Sequence, residues 1–201
     1  MKTLLINSEN LINEASTVLS NGGVVIYPTE TCYGIGVDAT NPDAVAKIYK
    51  IKSRSFTNPI SIAVTDISMA AKFVEINTVA KALYDKYTPG PITIISKSLG
   101  VVDPRLESAD KTLGVRIPDH QLFLDIIKAF GNPVTSTSAN KSGDANPYSI
   151  EDVISSIGPE GVELVDLMID AGRLEENPPS TVVDTTGKDL KIVRQGSLVI
   201  S

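Results

Sequence analysis

The run Gly23–Arg54, GVVIYPTETCYGIGVDATNPDAVAKIYKIKSR, passes from strand to turn to strand to helix and ends on two cations two positions apart. Val24-Val25-Ile26-Tyr27 is too short for a helix and rich in β-branched residues, so it reads as a buried strand that Pro28 closes. Thr29, Glu30 and Thr31 follow with three hydrogen-bonding side chains. Tyr33 to Val37 then returns as a second extended segment whose glycines allow close backbone approach. Asn41-Pro42 combines an N-cap side chain with proline at the first helical position, and Val45, Ile48 and Tyr49 fall on one face of a helix expected to run to about Lys50. Lys52 and Arg54 lie just past its end, where an extended segment would point both side chains the same way.

Outward from this run the chain keeps alternating. Thr3 to Ile6 reads as a strand, and Leu11, Ile12, Ala15, Val18 and Leu19 as the apolar face of a helix capped by Asn7 or Ser8 and stopped at Gly22-Gly23. Ile60 to Val64 is a strand. Asp66 or Ser68 caps a short helix to Phe73, and Asn77 caps another with Val79, Ala82, Leu83 and Tyr87 inward. Thr88-Pro89-Gly90-Pro91 is a turn into the strand Ile92–Ile95. Residues 98–112 are polar and aperiodic and read as a flexible lid. Leu113–Ile117 is a strand with Arg116 one step from its end, and Leu122, Phe123, Ile126, Ile127 and Phe130 mark a helix ended by Gly131. Pro133–Ser136 is a strand running into Thr137-Ser138-Ala139-Asn140, and residues 141–148 are a loop. Ser149 and Asp152 form a capping box for a helix through Ile157, Leu164–Asp170 is a strand, and 182–184 and 191–194 are two more around Gly187. Strands interleaved irregularly with helices predict an α/β fold with a twisted mixed sheet, one domain over residues 1–201.

A chain of 201 residues buries about 70% of its unfolded surface. It holds no apolar run near about 18 residues and no charged leader before an apolar stretch, so neither a membrane span nor a secretory signal is expected and the cytoplasm is the expected compartment. A net charge of −6 argues against broad nucleic-acid binding, which needs many phosphates neutralised, while leaving room for a local basic cleft. Cys32 cannot form an intramolecular disulfide and, with His120 the single histidine, builds no Cys/His metal site; it reads as a packed thiol, and His120 as a helix-start residue.

The chemistry-bearing residues are hydroxyls, amides and cations. Thr135, Ser136, Ser138 and Asn140 sit where a strand becomes a loop, the usual place for ligand contact in α/β proteins. Ser138 and Asn140 are neutral groups suited to orienting phosphate or carboxylate oxygens, while Lys52 and Arg54 supply charge. Arg116, Ser180 and Arg194 are further candidates. No P-loop and no dinucleotide fingerprint is present.

The ordered series Pro28-Thr29-Glu30-Thr31-x-Tyr33-Gly34, Lys52-x-Arg54, Pro89-Gly90-Pro91-x-Thr93, Val115-Arg116-Ile117-Pro118, Ser138-x-Asn140, Pro179-Ser180-Thr181-Val182-Val183-Asp184 and Arg194-x-Gly196 resembles the YrdC-domain family over nearly the whole chain. The resemblance implies a twisted mixed sheet with flanking helices around a concave basic cleft. It also implies threonylcarbamoyl-AMP synthase activity: L-threonine and bicarbonate give a carbamate that attacks the α-phosphate of ATP, with Mg²⁺ arriving on the nucleotide. By the same resemblance Lys52, Arg54, Ser138 and Asn140 are the catalytic phosphate clamp, Thr112, Asn146 and Arg194 approach ATP, and Thr29, Arg116, Ser136 and Ser180 surround threonine. The implied partners are a downstream tRNA-modification transferase complex and a weak contact with tRNA, with no membrane. The alternative is a nucleotide- or RNA-binding module like the YciO branch, which generally departs from the Lys-x-Arg and Ser-x-Asn signatures that are intact here. Two departures stand out: Ser55 follows the signature arginine where many members have proline, and the chain stops before the C-terminal domain of the longer branch, so closure is assigned to residues 98–112. On the premise that Lys52 is exposed, Lys52→Ala is expected to lower turnover far more than stability.

Overall fold

The computed structural model describes residues 1–201. Strands β1 (Lys2–Leu5), β2 (Val25–Tyr27) and β3 (Gly34–Gly36) precede β4 (Ser61–Ala63), β5 (Ile92–Lys97), β6 (Thr112–Arg116) and β7 (Val134–Ser138), with β8 (Leu167–Asp170), β9 (Thr181–Asp184) and β10 (Lys191–Arg194) last. They form one mixed sheet in the order β1-β8-β2-β3-β7-β4-β6-β5-β9-β10. β2 and β3 pair with Tyr27 opposite Gly34, and the Tyr27 ring lies over Gly34, where a Cβ would come within 2.5 Å of a ring carbon. β3 then pairs antiparallel with β7, Gly34 opposite Ser138, which brings the Pro28–Tyr33 turn beside the Ser138–Asn140 segment.

Helices α1 (Leu11–Ser20), α2 (Pro42–Ile51), α3 (Ile67–Ala70), α4 (Thr78–Tyr87), α5 (Gln121–Phe130) and α6 (Ile150–Val162) flank the sheet. α1 packs on α5, α2 on α6, and the Tyr27 and Phe123 rings stack at 3.6 Å. Asn41 caps α2 by accepting from Asp43 and Ala44 N–H, and Ser149 and Asp152 form the expected box on α6. No helix is long and apolar enough to cross a membrane.

Four readings are corrected. The α1 cap is Asn10, in left-handed backbone at φ 63° and without a side-chain cap bond, rather than Asn7 or Ser8. In α4 the inward stripe is Ala80, Leu83 and Tyr84, with Val79 and Ala82 exposed. Both frames satisfy a 3.6-residue period, and the rotation is set by Asn77, whose amide donates to Thr185 O while its oxygen caps Ala80. Residues 98–112 are no loose lid: Val102, Asp103, Leu106 and Glu107 are buried, Asp103 N–H donates to Ala39 O, and Tyr49 Oη donates to Arg105 O. The segment lacks periodicity because single side chains, rather than one face, anchor it. α6 also runs past Ile157, breaking at Gly158 (φ 68°) before Pro159.

Candidate active site

A cavity of about 550 Å³ opens over the centre of the sheet. Thr29, Lys52, Arg54, Thr112, Arg116, Ser136, Ser138, Asn140, Asn146, Ser180 and Arg194 all line it, so the fold gathers every residue to which the resemblance gives a role; Thr135, grouped with Ser136 and Ser138 from the sequence, does not line it. Its charged lining is Lys52, Arg54, Arg116 and Arg194 against Asp144. A chain of net charge −6 thus carries a locally basic concavity.

The way Lys52 reaches it differs from the extended reading. α2 ends in a Schellman motif: Lys52 is the C-cap, Ser53 sits at φ 46°, and the N–H groups of Ser53 and Arg54 donate to Lys50 O and Tyr49 O. The reversal at Ser53 turns Lys52 inward, where it is 2% exposed, and leaves Arg54 at the rim. Lys52 Nζ donates to Ser138 O at 2.5 Å, Asn140 O at 2.8 Å and Asn140 Oδ1 at 3.3 Å. Asn140 Oδ1 also accepts from Ser138 Oγ at 2.6 Å, and its amide nitrogen donates to Asp144 O and Ala145 O. All three ammonium hydrogens are committed, so the charged form of Lys52 holds the end of β7. Burial first, and then Arg54, brings its pKa down to about 7.

Arg54 folds back on its own loop, giving Nε to Asn58 O and Nη2 to Pro59 O. Its role at the rim is positional as well as electrostatic. Thr29 is committed too: its hydroxyl donates to Cys32 O at 2.6 Å and accepts from the N–H groups of Thr31 and Cys32, shaping the turn. Arg116, at the last residue of β6, donates to Glu30 Oε1 at 2.7 Å and Thr31 Oγ1 at 3.2 Å, while Arg116 Nε and Glu30 Oε2 are buried without partners. Arg116 lines the cavity, so its orphaned Nε fits an anionic group of a ligand, while Glu30 lies outside the lining and holds the Arg116 guanidinium in place. Cys32 is buried and its thiol is pushed up chiefly by that burial, which suits packing rather than nucleophilic work.

Along β7 the side chains alternate. Thr135 turns away and accepts from Val37 N–H, while Ser136 and Ser138 line the cavity. Thr112 bonds Ser108 and closes the 108–112 turn, and Asn146 enters from the loop after Asn140. Arg194, on β10, fastens to β9's approach through Nε and Nη2 to Ser180 O; the residue as a whole is exposed, and desolvation of the guanidinium end held at the cavity is the main cause of its lowered pKa. Ser61 and Gly114, which sequence reasoning missed, also line the cavity, as does Thr93, which the series Pro89-Gly90-Pro91-x-Thr93 includes without giving it a role. For Thr93 a signal existed: a polar residue inside the β-branched run Ile92–Ile95.

Residues 17–196 match the family model Sua5/YciO/YrdC, described as telomere recombination. Threonylcarbamoyl-AMP synthase of Bacillus subtilis is 36% identical over 157 residues, 77% of this chain and 45% of that protein. The crystal structure of Pyrococcus abyssi Sua5 complexed with L-threonine superposes with TM-score 0.88 at 29% identity, over 96% of this chain and 56% of that one. The chain therefore spans about half the length of these two relatives. YciO of Escherichia coli superposes with TM-score 0.83 at 29% identity, over 97% of this chain and 95% of that one.

Proposed function

Since the chain belongs to the Sua5/YciO/YrdC family, we propose that it is a single YrdC-like domain acting in the cytoplasm as a threonylcarbamoyl-AMP synthase. The observation that carries this reading is convergence. Lys52 Nζ and Asn140 Oδ1, 88 positions apart in sequence, meet at 3.3 Å on the wall of a cavity that also holds Arg54, Arg116 and Arg194.

In the proposed reaction, the threonine amine and bicarbonate form a carbamate with loss of water. A carbamate oxygen then bonds to the α-phosphorus of ATP, and the bond to pyrophosphate breaks. Such a displacement asks for positioning and charge neutralisation more than for a protein nucleophile. Holding the reactants together supplies about 7 to 11 kcal/mol of the barrier reduction. Lys52, Arg54, Ser138 and Asn140 form the phosphate clamp, Thr112, Asn146 and Arg194 approach ATP, and Thr29, Arg116, Ser136 and Ser180 enclose threonine. The unpaired Arg116 Nε suits the threonine carboxylate.

No group of three His, Cys, Asp or Glu side chains is placed to hold a metal ion, and the lone cavity carboxylate, Asp144, accepts from Ser156 Oγ. The chain does not fit a protein-held Mg²⁺ site, so Mg²⁺ would be carried by the triphosphate oxygens and water. The product would pass to a tRNA-modification transferase.

Purified protein given ATP, Mg²⁺, bicarbonate and labelled threonine is expected to release pyrophosphate only when all four are present. Release indifferent to threonine would reject the reading. The YciO-like alternative, favoured by the end-to-end match to that protein, predicts instead tRNA binding with a steep salt dependence and no adenylate.

A further inference from the structure

At the end of the cavity where β5, β9 and β10 meet, a chain of hydrogen bonds is left open. Arg194 can only donate, and its Nη2 gives a hydrogen to Ser180 Oγ at 3.1 Å. Ser180 Oγ and Thr93 Oγ1 lie 3.0 Å apart. The two hydroxyls bring two protons, one of which lies between them. A hydroxyl that accepts from a guanidinium becomes the better donor, so the polarity runs from Arg194 to Ser180 to Thr93. Thr93 is then left with a proton for which the chain offers no acceptor. Its methyl sits over Gly114, where a Cβ would approach to 3.1 Å, which keeps the hydroxyl on the Ser180 side.

Thr93 is 4% exposed and Ser180 5%, and both line the cavity. Arg194 Nη1, beside them, also makes no hydrogen bond within the chain. A buried, polarised donor next to a free guanidinium nitrogen has the chemistry of an oxyanion site.

We propose that Thr93 is a ligand-contacting residue: its hydroxyl proton and Arg194 together bind one anionic oxygen of the reactants. The inference rests on the synthase reading, under which that oxygen belongs either to a phosphate of ATP or to the carboxylate of threonine. Ser180 and Arg194, assigned to opposite ends of the site, are bonded to each other, so the subsite lies where the two reactants approach.

The test is calorimetric titration of ATP–Mg²⁺ and of L-threonine, separately, into wild-type protein, Thr93→Val and Thr93→Ser, with thermal melts of all three. Thr93→Val removes the hydroxyl at constant shape and is expected to weaken one ligand by about 10- to 100-fold while leaving the other within about threefold. Thr93→Ser is expected to bind both within about threefold of wild type, because it retains the donor. The ligand that weakens identifies the oxygen. Unchanged binding of both ligands by Thr93→Val overturns the inference, as does equal loss of both by the two variants together with their thermal stability. A wild type that binds both ligands and shows the Thr93 effect but releases no pyrophosphate overturns the synthase reading while leaving the contact standing.

Discussion

Lys52 sets two demands against each other. Its charge is wanted in the cavity, yet at 2% exposure that charge is desolvated and its pKa is held down to about 7. Three carbonyl-type oxygens compensate. The expectation of an exposed lysine whose loss hardly touches stability is therefore revised. Lys52→Ala leaves Ser138 O and Asn140 O without their donor and is expected to cost about 1 to 3 kcal/mol in urea unfolding, besides lowering turnover. Because the folded-state value lies below that of a free lysine, unfolding takes up a proton between about pH 7 and the free-lysine value near 10.5. This group makes the fold less stable as pH falls through that window and adds no pH dependence below it. Lys52→Met should lack that component in urea titrations at pH 7 and 9.5, and an identical pH slope in the two proteins would contradict it. One residue on, Ser53 holds φ 46° where glycine carries no Cβ penalty, so Ser53→Gly is expected to raise unfolding stability by about 1 kcal/mol with the ligand affinities preserved.

At the scale of elements, the site depends on how strands and helices end. α2 delivers Lys52 through its C-terminal reversal, β6 delivers Arg116 at its last residue, and β10 delivers Arg194 from the sheet edge. β10 is exposed along its length and pairs with β9 alone, so its attachment needs the turn that follows. Gly196 makes that attachment: a Cβ there would fall 2.0 Å from Pro179 O and 2.5 Å from Thr181 N. Gly196→Ala is expected to push β10 off β9, carry Arg194 away from Ser180, and weaken ATP binding more than it lowers the melting temperature. Calorimetry beside a thermal melt checks this, and unchanged ATP affinity would refute it. The segment 98–112 belongs at this scale too. Its short side-chain anchors, Asp103 on Arg105 and Leu106 in the core, give no periodic signal, so a packed segment reads from sequence as a loose one.

For the whole molecule, a basic cavity in an acidic protein has an electrostatic consequence. Four cations converge on one concavity while the chain carries −6 overall, so the attraction for a polyanion is local and sensitive to screening. ATP affinity is expected to fall as ionic strength rises while threonine affinity changes little, and parallel salt series by calorimetry would show whether the two ligands separate. The amino-acid sequence alone determined the strands and helices that rest on local rules: Pro28 closing β2, Asn41-Pro42 opening α2, the Ser149–Asp152 box, Gly131 ending α5. It also determined which residue types were available for the chemistry. Only the tertiary structure decided that Lys52 is buried rather than exposed, that Thr29 is spent on its own turn, that Thr93 joins the site, and which stripe of α4 faces inward. These are matters of burial and of hydrogen bonds already taken. Both are fixed by partners far along the chain, such as Asn140 for Lys52 and Thr185 for Asn77, and no local pattern of residues encodes where those partners will lie.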